Sequence, residues 1–140
     1  MSDQSFQYRF QIRLHDTDVA GVLFFAHLFR HAHDAYEVWM SELGFPLDRL
    51  IRDGELALPL VHAEADYRRP LRHGDRVCLS LAVAELGTGS FKIDYQFRTQ
   101  DGELAAVART VHVCIHPGHG LPHALPEALS NALRLLLVSS

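Results

Sequence analysis

Between residues 6 and 14 the side chains alternate without a break. Phe6, Tyr8, Phe10, Ile12 and Leu14 fall on one side and Gln7, Arg9, Gln11 and Arg13 on the other. A period of two is the mark of a strand with one buried face, so this stretch predicts a first strand. After Gly21 the period lengthens. Phe29, Ala32, Tyr36, Trp39 or Met40 and Leu43 recur every three or four residues, with Arg30, Asp34, Glu37 and Ser41 on the opposite side. That spacing predicts one amphipathic helix over about residues 26–43, closed by Gly44 and Pro46. A short helical turn over Leu47 to Arg52 follows, ended by Asp53-Gly54.

Alternation then returns. Val61, Ala63, Ala65 and Tyr67 oppose His62, Glu64 and Asp66, and Val77, Leu79, Leu81 and Val83 follow the turn at His73-Gly74. Beyond Gly87-Thr88-Gly89, Phe91, Ile93, Tyr95 and Phe97 alternate with Lys92, Asp94, Gln96 and Arg98, and Asp101-Gly102 reads as a hairpin turn into Leu104 to Ile115. Pro and Gly residues from 117 to 126 break the pattern, and Leu129 to Val138 reads as a last helix. One long helix and about five mostly antiparallel strands must share a core, which predicts an α+β fold with a curved sheet wrapped round the helix. Such a sheet has open edges, and Ala82, Ala84, Ala106 and Ala108 read as outward positions, so self-association is expected.

At 140 residues and 48% hydrophobic content the chain is the size of one domain, taken as residues 1–140. The start, Met1-Ser2-Asp3-Gln4-Ser5, is polar, and no run approaches the roughly 20 apolar residues of a membrane span, so a cytoplasmic protein without a membrane partner is expected. A net charge of −4 offers no general attraction for nucleic acid. Cys78 and Cys114 lie in apolar strands without CxxC spacing and read as buried free thiols.

The passage His15-Asp16-Thr17-Asp18-Val19-Ala20-Gly21-Val22-Leu23-Phe24-Phe25 joins the first strand to the helix. It can supply what thioester hydrolysis needs: a carboxylate as base or nucleophile, and unpaired first-turn amides, at the positive end of a helix dipole, for the carbonyl oxygen. Local chemistry alone also allows Asp16 or Asp18 to cap a turn or the helix start.

An Asp, two residues, Gly, an aliphatic pair and an aromatic together resemble the active-site motif of the hotdog-fold 4-hydroxybenzoyl-CoA thioesterase family. Aligned on Gly21, the resemblance places the catalytic carboxylate on Asp18 and the carbonyl-polarising backbone N–H on Phe25, with Asp16 a structural neighbour. It extends along nearly the whole chain through Leu58-Pro59-Leu60-Val61-His62-Ala63 and Gly74-Asp75-Arg76. Asp16-Thr17-Asp18, Ala20-Gly21-Val22 and His33-Asp34-Ala35-Tyr36-Glu37-Val38-Trp39 are most similar to the 1,4-dihydroxy-2-naphthoyl-CoA hydrolase group. Phe25 stands where the related Tol-Pal-operon thioesterases carry His. The resemblance implies substrate contacts at Gly21, Val22, Phe24 and His62. Ser90 and Lys92 match a region that touches CoA from a neighbouring subunit. It further implies a CoA thioester as substrate, no metal or organic cofactor, and a homodimer or homotetramer.

Other readings stay open on the residues. His27 and His31, four apart on a helix, could share a metal, with Asp34 a further turn on, although a zinc site needs a third ligand and usually supporting carboxylates. Glu37 or Asp34 could be the helix-borne carboxylate of the other hotdog subclass, with Glu37 the reserve to Asp18. Arg68, Arg69, Arg72, His73 and Arg76 could meet the phosphates of CoA or form a solvated loop. An aliphatic acyl-CoA thioesterase of the same fold and a non-catalytic acyl-CoA-binding protein are the alternative functions. No Gly-x-Ser-x-Gly elbow and no phosphate loop is present.

Overall fold

The computed structural model describes residues 5–138; the polar start at residues 1–4 lies outside them. The strands are β1 (Phe6–Gln11), β2 (Leu60–Tyr67), β3 (Arg76–Leu86), β4 (Ser90–Thr99) and β5 (Leu104–Val113). They form one antiparallel sheet in the order β1-β3-β4-β5-β2. The helices are α1 (Phe25–Glu42), α2 (Leu47–Asp53) and α3 (Glu127–Arg134). The sheet curls around α1 in the hotdog arrangement of the α+β class.

Helix α1 buries Leu28, His31, Ala32, Ala35, Tyr36, Trp39 and Met40, a stripe at three- and four-residue spacing. Against it the sheet presents Val77, Leu79, Leu81 and Val83 from β3 and Phe91, Ile93, Tyr95 and Phe97 from β4. Each large side chain taken out of water contributes about 1.5–3 kcal/mol. The apolar stripe, rather than capping, therefore holds α1 in place, and Phe24 at its N-cap makes no side-chain capping bond. His112 lies flat between the rings of Tyr36 and Phe91, with centroids 4.5 and 5.2 Å away. Its Nε2 meets Thr110 Oγ1 at 3.1 Å, and burial pushes its pKa down to about 4. Helix α3 sends Leu129 and Leu133 into the far end of the core.

Four expectations need correction. The first strand stops at Gln11, and Leu14 is 70% exposed in a 3-10 turn over Leu14–Asp16. The Asp16 carboxylate draws the Arg13 N–H at 2.8 Å and turns the chain there. Ala106 and Ala108 face inward and are buried, because from Ala106 to His112 β5 aims its even-numbered residues at the core and leaves Val107, Arg109 and Val111 half-buried on the other face. Strand β2 alternates in sequence but not in burial. It pairs only with β5, and none of its eight residues is buried: Ala65 is intermediate, and the other seven are exposed, Leu60, Val61 and Tyr67 with about half of their surface open. Both thiols are free; Cys114 is buried, whereas Cys78 is only half-buried. No helix among the described residues is long and apolar enough to cross a membrane.

Candidate active site

The loop between β1 and α1 is built around two aspartates of opposite character. Asp16 is fully buried and Asp18 is exposed. Asp18 opens a tight turn in which the Gly21 N–H donates to its carbonyl at 2.9 Å. Gly21 holds a φ of +79°, a left-handed conformation that costs an L-residue about 1–2 kcal/mol. Glycine is thus required for the turn rather than for space, since an added Cβ would meet nothing within 4 Å. The turn is closed again by the Asp18 N–H donating to the Val22 carbonyl at 3.0 Å. Within it, Asp18 Oδ1 accepts the Ala20 N–H at 2.9 Å and, more weakly, the Val22 N–H at 3.4 Å. Among the described residues no donor engages Oδ2, so one carboxylate oxygen is spent on orienting the group and the other is left for chemistry.

The other side of the site is the start of α1. The Leu23 N–H donates to Leu71 O at 2.7 Å and the Phe24 N–H to Asp16 O at 3.0 Å, while the Phe24 carbonyl takes the His27 and Leu28 amides. The amides of Phe25 and Ala26, in the first turn, have no acceptor within the helix ladder and sit at its positive end. Asp18 and these amides are drawn together by paired bridges, Thr17 with Leu23 and Val22 with Arg72. A carboxylate oxygen and unpaired N–H donors at the two ends of one short loop are the groups that can attack a carbonyl carbon and hold the charge that develops on its oxygen.

Tyr67, at the end of β2, closes this side by donating its hydroxyl to Leu23 O at 2.5 Å. Burial, and then the charge of Asp18, push its pKa up to about 12, so it is protonated at neutral pH. Sequence reading assigned Tyr67 only to a strand face, and nothing in the chain pattern announces a tyrosine reaching across to the helix start. Phe24 and Phe25 are 38% and 58% exposed with ring centroids 4.7 Å apart, an apolar wall beside Asp18. Leu23 does not join that wall, being buried in the core.

Asp18, Gly21, Val22, Phe24 and Phe25 are thus gathered in one place, and His62, Ser90 and Lys92 are not. Ser90 pairs with Val113, while Tyr67 pairs with Ala106 on the same strand β5. Seven residues at about 3.3 Å each separate the two ends by roughly 23 Å. Lys92 pairs with Glu85 at 3.3 Å, and His62 Nε2 with Glu64 at 2.8 Å on the exposed edge. Of the arginine cluster, Arg69 is paired with Glu103 at 3.0 Å. His31 turns away from His27 and into the core, where its Nε2 lies 3.1 Å from Asp16 Oδ2. Among the described residues no group of three or more His, Cys, Asp or Glu side chains is arranged to hold a metal.

Comparison with known proteins adds an independent line. Residues 12–133 match the thioesterase-like superfamily. The 1,4-dihydroxy-2-naphthoyl-CoA hydrolase of Synechococcus elongatus is 40% identical over 131 residues, spanning 91% of this chain and 96% of that one. The hydrolase of the same name from Rippkaea orientalis is also 40% identical, over 91% and 94% of the two chains. Among solved structures, a 1,4-dihydroxy-2-naphthoyl-CoA thioesterase from Synechocystis superposes with a TM-score of 0.88 at 36% identity, over 93% and 96% of the chains. A gentisyl-coenzyme A thioesterase superposes with a TM-score of 0.82 at 27% identity, over 91% and 99%.

Proposed function

The chain belongs to the thioesterase-like superfamily and is a thioester hydrolase, and from that premise we propose that it hydrolyses an aroyl-CoA, with 1,4-dihydroxy-2-naphthoyl-CoA the leading candidate. The observation that carries the catalytic part is Asp18, with Oδ1 fixed by the Ala20 amide and Oδ2 unengaged beside the head of α1. The thioester carbonyl lies with its oxygen toward the Phe25 N–H and its carbon toward Asp18. In one route Asp18 takes a proton from water, the resulting hydroxide adds to the carbonyl carbon, and the oxyanion is held by the helix amides. Collapse breaks the C–S bond, and the proton on Asp18 passes to the departing CoA sulfur, giving free acid and CoASH. In the other, Oδ2 itself adds to the carbon, CoA thiolate leaves, and water hydrolyses the resulting mixed anhydride. After a single turnover in 18O-water, label in the Asp18 carboxylate identifies the second route, with water adding at the Asp18 carbonyl of the anhydride, because the first route places all of the label in the released acid.

The aromatic acyl group is supported by the names of the relatives and by the exposed Phe24 and Phe25 rings, which can stack on or edge against a flat ring for about 0.5–1.5 kcal/mol each. Gly21, Val22 and Phe24 would line the acyl end. His62, Ser90 and Lys92 would reach a given substrate only from a second copy of the chain, so the working form is proposed to be a homodimer or a homotetramer. The test is thiol release from a panel of CoA thioesters. A kcat/KM for naphthoyl and benzoyl thioesters several-fold above that for hexanoyl- and palmitoyl-CoA is expected. Equal or better turnover of the aliphatic substrates overturns the aromatic preference and leaves the role of Asp18 standing.

A further inference from the structure

Asp16 has no exposed surface, and an uncompensated carboxylate there would be costly. Its compensation comes from two sides of the loop and from the helix. Oδ2 accepts the Arg13 N–H at 2.8 Å and lies 3.1 Å from His31 Nε2, and Oδ1 is paired with the Arg30 guanidinium. Its main-chain carbonyl takes the Phe24 N–H at 3.0 Å. One residue therefore holds the chain before Asp18 through Arg13, the residue before Phe25 through Phe24, and the second turn of α1 through Arg30 and His31. The ring of His31 is fixed in turn by stacking on Phe10 of β1, with centroids 4.0 Å apart and planes 14° from parallel. Burial alone raises the carboxyl pKa of Asp16, but the Arg13 amide, His31 and Arg30 outweigh it and hold the group below the ordinary carboxylate range. Burial keeps His31 below its ordinary range as well, despite Asp16, so at neutral pH Arg30 is the cation and the imidazole donates as a neutral ring.

We propose that Asp16 is a positioning residue for the hydrolysis: with Arg30 and His31 it locks the loop bearing Asp18 to the head of α1, fixing the carboxylate relative to the Phe25 amide. This rests on the reading of Asp18 given above. A buried ion pair that served only stability could lie anywhere in the core, whereas this one brackets both catalytic groups, two residues from Asp18 and, through Phe24, one from Phe25. Displacement of reacting groups by about 1 Å can cost on the order of 100-fold in rate. The clamp should thus show in kcat more than in KM.

The experiment compares Asp16→Asn, Asp18→Asn, the double variant and Leu133→Ala. Leu133 is buried in α3 at the far end of the core and serves as a control for loss of stability alone. Asp16→Asn is expected to lower kcat about 10- to 30-fold with KM within about threefold. The Leu133→Ala control, at a comparable loss of melting temperature, should keep kcat within about twofold. The double variant is expected to be no slower than Asp18→Asn alone, because the clamp acts through that carboxylate. Amide exchange should quicken at Asp18 and Phe24 in Asp16→Asn while the amides of Leu79 and Ile93 in the sheet stay as they are. If Asp16→Asn does not fold, Arg30→Gln, at a half-exposed position, carries the test, with an expected loss in kcat of about fivefold at unchanged KM. A wild-type kcat in Asp16→Asn or Arg30→Gln, a loss no greater than in Leu133→Ala, a loss additive with Asp18→Asn, or unchanged exchange at Asp18 and Phe24 overturns the clamp alone. Retention of activity by Asp18→Asn sinks both the clamp and the reading of Asp18.

Discussion

Two neighbouring aspartates differ in what surrounds them, and that difference underlies the separate roles proposed for them. Asp18 is solvent-facing with one oxygen unengaged, so replacing it with Asn removes the proposed base or nucleophile while leaving the Ala20 and Val22 amides an oxygen to bond. Asp18→Asn is expected to lower kcat by about 100-fold or more with melting temperature and circular dichroism unchanged; retention of more than about a tenth of the activity would shift suspicion to Glu37. The sequence motif pointed to Asp18 but could not show that Asp16 is the buried one, because its partners Arg30 and His31 lie 14 and 15 positions away on a helix whose pattern placed Arg30 on the solvent side. His112 makes a second prediction. Its folded pKa of about 4 lies below the ordinary 6.5, so between those values the unfolded chain binds the extra proton. Stability is then full above pH 6.5, falls as the pH drops, and has lost about 3 kcal/mol by pH 4. Chemical unfolding of wild type and His112→Gln across pH 4–7 checks this, since the variant should lack that slope.

Among the elements, β2 is the one whose sequence and surroundings disagree within a single chain. Leu60, Val61 and Tyr67 are 44%, 56% and 43% exposed on a strand that pairs only with β5. A free edge of this length with apolar side chains on it invites another strand. A charge there should therefore disrupt association without harming the core: Val61→Lys is expected to shift the protein toward monomer in light scattering while leaving β3–β5 intact. A wild-type oligomer in that variant would remove β2 from the interface. The same strand marks the limit of what could be read from sequence. Helix α1 and strand β4 were legible to within a residue or so, and β3 over Val77 to Val83, because their inward positions really are inward and their period is unbroken there. Strand β3 runs on to Leu86 past a shift of register after Val83. Strand β5 was placed correctly but with its alanines on the wrong face, since small residues carry no signal of side. Strand β2 was found as a strand, yet its burial could not be inferred, because alternation reports a covered face without saying which molecule covers it. Leu14 continued the alternation of β1 but was taken out of the strand by Asp16, a long-range effect to which a local period is blind.

At the scale of the whole molecule the separation of the site from its expected CoA contacts becomes an argument about assembly. Asp18 and the head of α1 lie at the Tyr67 end of β2, with Ser90 and Lys92 toward the opposite end of the sheet. If two copies join antiparallel along β2, the Tyr67 end of each lies beside the Leu60 end of the other, and the distant ends of the two sheets exchange places relative to the two Asp18 carboxylates. Each site would then draw its carboxylate and amides from one copy and its CoA contacts from the other. This predicts more than a particle of at least twice the 15.8 kDa of one chain. It predicts that specific activity falls on dilution in step with dissociation, and that Lys92→Ala raises KM for the CoA thioester more than it lowers kcat, because Lys92 would bind rather than react. It also predicts complementation. Asp18→Asn and a CoA-contact variant such as Lys92→Ala, mixed and allowed to exchange subunits, should form heterodimers in which one of the two sites has both its parts, and activity should rise above that of either variant alone at low substrate. A fully active monomer at micromolar concentration, or a mixture no more active than the average of its two components, would show that each chain binds and hydrolyses its substrate unaided.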